Sequence, residues 1–232
     1  MGVGPLRAVL RAVRRHVRRR VRLPLAELDG PRLDLARRLQ AIAQNGLHYS
    51  GSPFEHERYE AVRAIAAELA ASELEPLESL VETFAAQTGH ACPKIDVRAA
   101  AFRDGKVLLV RNVDDARWSL PGGWAETGES PRTSAEKELR EESGYTGRAT
   151  KLVGIWEQDS RDRPRWPFYG WKLAFLCELA DEATGELHAI EVDDVGFFGA
   201  DELPELSVRS SAEQLRICFE HAREPSLPTV FE

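Results

Sequence analysis

Residues 120–144 constrain this chain more than any other stretch. Leu120-Pro121-Gly122-Gly123-Trp124-Ala125-Glu126-Thr127-Gly128-Glu129 holds three glycines. They let a backbone turn tightly and come close to an ion or a phosphate. Ser130 is a good helix N-cap and Pro131 a good first helical residue. The helix they open should run to Ser143, and Gly144 suits a left-handed end. That helix carries Glu136, Glu138, Glu141 and Glu142. Glu138 precedes Glu141 and Glu142 by three and four residues, so the three carboxylates share one face.

Like charges at that spacing repel, which weakens a helix by a few tenths of a kcal/mol per pair. Two readings fit the helix alone. One is a site for a hard divalent cation, which prefers oxygen ligands. The other is a solvated acidic face with Lys137 and Arg140 as ion-pair partners.

The rest of the chain has two kinds of sequence grammar. Residues 29–90 read as a small helical domain. Leu33 to Leu47 is amphipathic, Ser52-Pro53 should open a second helix through Ala71, and Pro76 a third through Gln87. Thr88 to Lys94 reads as a linker. From 94 to 225 strands alternate with helices, which indicates an α/β domain. Ile95–Phe102 and Val107–Arg111 flank an Asp104-Gly105 hairpin turn. Arg148–Glu157, Trp171–Leu179 and Val195–Phe198 are further strands, and Ser210–Arg223 a closing helix.

Composition narrows the function classes. The 232 residues suffice for a sizeable core, and 30% charged residues indicate a soluble chain. No apolar run approaches the roughly 18 residues of a membrane span. Three scattered cysteines argue against a disulfide framework or zinc site and fit a reducing cytoplasm. Net charge is −7, yet eight of the 31 basic residues and none of the 38 acidic ones lie in residues 1–24. Residues 1–28 form a basic segment with helical apolar spacing, either a tail resting on an acidic body or a contact for RNA or an anionic surface. An acidic body needs local cations to hold a phosphate compound.

Gly123, five residues, Glu129, seven residues, then Lys137-Glu138-Leu139-Arg140-Glu141-Glu142-Ser143-Gly144-Tyr145 resembles the Nudix box. Lys137 stands where that family usually has arginine, and Tyr145 where it has an aliphatic residue. Gln40 to Leu47, Pro53-Phe54, Glu57 to Glu60, Lys94 to Ala100 and Val195 to Phe198 are similar to a Nudix subgroup with a helical N-terminal domain. Its members hydrolyse X-linked nucleoside diphosphates and include a CDP-choline pyrophosphatase.

The resemblance implies a Nudix α/β/α sandwich with a mixed sheet, preceded by a small all-α domain that builds a homodimer. It implies Mg²⁺ or Mn²⁺ held by Glu138, Glu141, Glu142 and the Gly123 carbonyl. One of those glutamates, or Glu191, Asp193 or Asp194 from a loop outside the box, would take the proton of the attacking water. Glu129 and Lys137 would hold the loop. Arg98, Trp124, Arg165 and Phe168 are the candidates for binding a nucleoside diphosphate-linked small molecule such as CDP-choline or ADP-ribose. Aromatic faces stack bases and arginines grip phosphates. Two other readings remain: RNA 5′-end or exonucleolytic processing aided by the arginine-rich segment, and a non-catalytic ligand sensor.

Overall fold

The computed structural model describes residues 30–71, 76–158, 166–183 and 190–231. The basic segment 1–28 and Arg165 lie outside them. The described residues form two compact units. One holds residues 30–91 together with Trp166 and Pro167, the other the remainder from Cys92 onward.

The first unit is three helices: α1 (Gly30–Tyr49), α2 (Pro53–Ala70) and α3 (Leu77–Ala85). Its core is Leu33, Ala36, Ala66, Ala67, Ala70, Leu80 and Phe84. The alanines of α2 let α1 lie close, and Phe84 fills the remaining space at 0% exposure. Ser52 does stand at the N-cap of α2, but its side chain makes no capping bond. Pro76 is the N-cap of α3 rather than its first helical residue. Within this unit the Arg37 guanidinium donates to the Trp166 carbonyl at 2.7 Å from Nε.

The second unit is organised on β1 (Lys94–Arg103). β1 turns through Asp104 and Gly105, both at positive φ, into β2 (Lys106–Asn112). Two positive-φ residues match the right-handed strand twist, which is why Asp-Gly serves here. The further elements are β3 (Trp118–Ser119), β4 (Gly122–Trp124), α4 (Pro131–Ser143), β5 (Tyr145–Glu157), β6 (Gly170–Ala183), β7 (Val192–Phe198), α5 (Ala212–Arg223) and β8 (Val230–Phe231). The sheet is mixed. β1 runs parallel to β6 from Lys94↔Gly170 to Ala101↔Cys177. β1 is antiparallel to β4, with Asp96↔Trp124, Val97↔Gly123 and Arg98↔Gly122 opposite one another. β5 pairs antiparallel with β6, and β7 with β2.

Alternation along β1 assigns its faces. Ala99 and Ala101 join Leu108, Ala149, Cys177 and Leu139 of α4. Ala100 joins Val107, Leu109, Val153, Trp156 and Leu215, Cys218 and Phe219 of α5. Small side chains on both faces allow a helix against each. The result is an α/β/α sandwich with α4 on one side and α5 on the other. Among the described residues no helix is long and apolar enough to cross a membrane.

Candidate functional site

Local chemistry fixes both ends of α4. The Ser130 side chain accepts from the Thr133 N–H at 3.1 Å, and Thr133 Oγ1 accepts from the Ser130 N–H at 3.0 Å. This reciprocal box uses threonine where glutamate or glutamine is usual. Gly144 ends the helix at φ 73°, and its N–H returns to the Arg140 carbonyl. Leu139 at 0% exposure anchors the helix on the sheet. That same packing carries Glu138 and Glu142 inward, to 9% and 7% exposure.

Both carboxylates meet the glycine loop. Glu142 Oε2 accepts from the Gly122 N–H at 2.9 Å. A Cβ on Gly123 would stand 3.1 Å from Glu138 Oε1, so the glycine lets that carboxylate lie against backbone. Gly122 is required for a different reason. Its φ is +153°, and a Cβ there would fall 2.0 Å from the Val97 carbonyl oxygen. Strand β4 can approach β1 this closely only without a side chain.

Glu141 is half-buried on the same helix. Among the described residues its carboxylate has no ion-pair partner. Glu129 and Lys137 brace the loop from the helix. Lys137 Nζ stands 2.9 Å from Glu129 Oε1 and 2.9 Å from Glu126 Oε2, and the Ser134 hydroxyl donates to Glu129 Oε2 at 3.1 Å. Lysine cannot grip one carboxylate with two parallel bonds as arginine does. Here its point charge is shared between two glutamates, and sequence reasoning missed Glu126.

Arg98 lies beneath this loop rather than on an open surface. It is 4% exposed, donates from Nε and Nη2 to Asp96 at 3.0 and 2.7 Å, and from Nη1 to the Leu120 carbonyl at 3.1 Å. Burial works against its charge, but Asp96, Glu142 and Glu138 outweigh burial and raise its pKa. Asp96 was missed as a partner. Its signal was spacing, because residues two apart on a strand share a face.

Trp124 is 37% exposed, with its ring centroid 6.3 Å from that of Phe168. Lys94 Nζ stands 5.4 Å above the Phe168 ring. The other aromatic residues near Phe168 disperse. Trp156 enters the core, and Trp171 stays 50% exposed. Glu191 sits in the turn before β7, its carbonyl accepting from the Val113 N–H at 2.9 Å. Asp193 is engaged by Arg111 at 2.7 Å, and Asp194 accepts from the Val195 N–H.

Two buried carboxylates one turn apart are costly unless cations or hydrogen bonds offset them. Their all-oxygen donor set suits a hard divalent ion. Among the described residues no three carboxylates already converge as a closed cage. The fit therefore rests on Glu138 and Glu142 at the glycines, with Glu141 beside them on the helix.

A sandwich of this topology, with a glycine loop capped by a glutamate helix, defines a Nudix hydrolase, and the chain belongs to that family. Residues 93–216 match the NUDIX domain, and residues 31–84 match the UDP-X-like, N-terminal oligomerisation domain. A protein of Bacillus subtilis (strain 168) named "Putative ADP-ribose pyrophosphatase YjhB" is 37% identical over 202 residues, covering 86% of this chain and 96% of that protein. The crystal structure of an ADP-ribose pyrophosphatase from Streptococcus suis 89-1591 is 34% identical with a TM-score of 0.53, covering 61% of this chain and 100% of the other. The crystal structure of a UDP-X diphosphatase is 29% identical with a TM-score of 0.53, covering 86% of this chain and 97% of the other. Nudix hydrolases generally need divalent metal ions.

Proposed function

We propose that this chain hydrolyses the pyrophosphate linkage of a nucleoside diphosphate joined to a second group X. The products are a nucleoside monophosphate and phosphorylated X. ADP-ribose is placed before CDP-choline as substrate, because of the Bacillus subtilis relative named for ADP-ribose. The observation that carries this reading is the pair of buried carboxylates, Glu138 and Glu142, laid against Gly122 and Gly123.

Glu138, Glu141, Glu142 and the Gly123 carbonyl would hold Mg²⁺ or Mn²⁺. When bound, the ion neutralises phosphate charge and makes a water acidic enough to attack. The residues of the chain do the rest. Glu129 and Lys137 keep the loop in place. Glu141 or Glu191 takes the proton of the attacking water. The exposed Trp124 ring, with the half-buried Phe168 beside it, offers a face for a nucleobase, and Lys94 stands near for a phosphate.

The helical unit joins two copies of the chain. Leu35, Ile42 and Tyr49 recur every seven residues on α1 and are 50%, 56% and 69% exposed. A heptad stripe that the unit's own core leaves open suits a second copy of the same helix. The matched oligomerisation domain supports that occupant.

The test is a screen of ADP-ribose, CDP-choline, UDP-sugars, dinucleotides and 5′-triphosphate RNA with Mg²⁺ and with Mn²⁺, read by chromatography of the nucleotide products. AMP from ADP-ribose is the expected result. Turnover of RNA alone, or of nothing, sinks the proposal.

A further inference from the structure

The acidic helix meets a loop whose position depends on groups outside the Nudix box. Leu120 is gripped from two sides. Its carbonyl accepts from Arg98 Nη1 at 3.1 Å, and its N–H donates to the Ser210 hydroxyl at 3.0 Å. The next residues are Pro121, which is buried, and Gly122, which receives Glu142. The stem of Arg98 runs directly under that glycine, its Cδ 2.8 Å from where a Gly122 Cβ would lie. Arg98 is in turn fixed by two parallel bonds to Asp96, which is 2% exposed. Asp96 and Arg98 lie on the same face of β1, opposite Trp124 and Gly122 of β4.

We infer that Asp96 and Arg98 form a positioning pair for the metal-binding carboxylates. Asp96 orients the guanidinium, and the guanidinium sets the height of the Leu120–Gly123 backbone against which Glu138 and Glu142 rest. The inference depends on the metal reading proposed above. Three of the five guanidinium N–H groups are committed to Asp96 and Leu120, and the side chain is buried. Arg98 therefore acts through the loop and not on the substrate. A guanidinium suits this place because its planar fork makes two parallel bonds to a carboxylate while a further N–H reaches the Leu120 carbonyl. Lysine at the same place keeps the charge but loses the two parallel bonds that fix the group on Asp96. The guanidinium also adds a buried positive charge that interacts favourably with Glu142 and Glu138.

Arg98→Lys and Asp96→Asn test the pair, because each roughly keeps side-chain volume and a polar group in the buried site while removing the two parallel bonds. Mn²⁺ affinity is measured on the full chain without substrate, by the electron paramagnetic resonance signal of free Mn²⁺. Each variant should bind Mn²⁺ about tenfold or more weakly, the range typical of groups that support metal ligands. KM at saturating metal should stay within about twofold of wild type, since no substrate contact is lost. Ser210→Ala, which releases the same peptide from its other side, should shift Mn²⁺ affinity in the same direction. If both variants bind Mn²⁺ like wild type, the inference is overturned, including the case where only the unfolding temperature drops. A raised KM with unchanged Mn²⁺ affinity also overturns it, since Arg98 would then be a substrate contact. If wild type itself binds no Mn²⁺, the metal reading fails first.

Discussion

Three glycines in one loop do different work, and alanine at each separates the effects. Gly122→Ala puts a methyl 2.0 Å from the Val97 carbonyl oxygen, a backbone atom that cannot rotate away. The residue is also at φ +153°, where a side chain is strained by about 1–2 kcal/mol. Forcing β4 off β1 adds about 1–3 kcal/mol of overpacking. If the shift breaks the N–H bond to Glu142, a further 1.5–3 kcal/mol or so goes with it. The strain and overpacking alone, about 2–5 kcal/mol together, lower the unfolding temperature by about 4–20 °C for a chain of this size. Gly128→Ala isolates the strain. It has φ +93° and nothing within 4 Å, so only about 1–2 kcal/mol is at stake. Gly123→Ala meets the far end of a side chain, Glu138 Oε1 at 3.1 Å. Stability should change by about 0.5 kcal/mol or less, as for changes away from the core, while turnover falls about tenfold through the displaced carboxylate. Thermal unfolding followed by circular dichroism, with a pyrophosphatase assay on the same samples, measures all three. The reasoning is refuted if Gly122→Ala unfolds less than about 2 °C below Gly128→Ala, the smallest gap that the extra overpacking implies, or if Gly123→Ala keeps full turnover.

Other expectations follow from single contacts. Glu141→Gln should cut turnover by about a hundredfold and leave the circular dichroism spectrum unchanged, because its half-buried carboxylate holds no part of the fold. Ile42→Glu, at a residue 56% exposed on α1, should convert the proposed dimer to monomers in light scattering without unfolding the chain. His221 is 2% exposed, and among the described residues its Nδ1 has no hydrogen-bond partner. Burial and then the Lys151 ammonium lower its pKa, so the unfolded chain takes up the proton more readily. Stability should be full above the ordinary histidine pKa of about 6.5 and fall as pH drops below it, and His221→Gln should flatten that slope in urea titrations. Burial pushes the Cys177 and Cys218 thiols up to about 12, whereas Cys92 is exposed. A thiol reagent at neutral pH should therefore label one of the three cysteines in the native protein and all three in denaturant.

Local signals carried most of the helix and strand pattern. The N-cap Ser130, the first-turn Pro131 and the closing Gly144 lie within a few residues of the ends they set. The Asp104-Gly105 turn likewise dictates its own hairpin. Strand β5 begins at Tyr145, before the Arg148 at which apolar alternation starts, because pairing with β6 and not periodicity defines it. Strands β4 and β8 were invisible, being three and two residues long and held only by distant partners. The aromatic residues from Trp156 to Trp171 had no legible fate, since a ring satisfies either a core or a surface and only the neighbouring strands choose.

By itself, then, the sequence determined the acidic helix, the glycines before it and their spacing. Spacing within one helix and its adjoining loop is a property of the local chain. Only the tertiary structure decided what those residues touch. It turned Glu138 and Glu142 inward with Leu139, set Gly122 under a carbonyl of β1, split Lys137 between Glu126 and Glu129, and buried Arg98 on Asp96 beneath Leu120. Each of those contacts except the last pairing with Asp96 joins residues eight or more apart. Such pairings depend on β1 meeting β4 and on α4 packing over them, and no local propensity encodes that meeting.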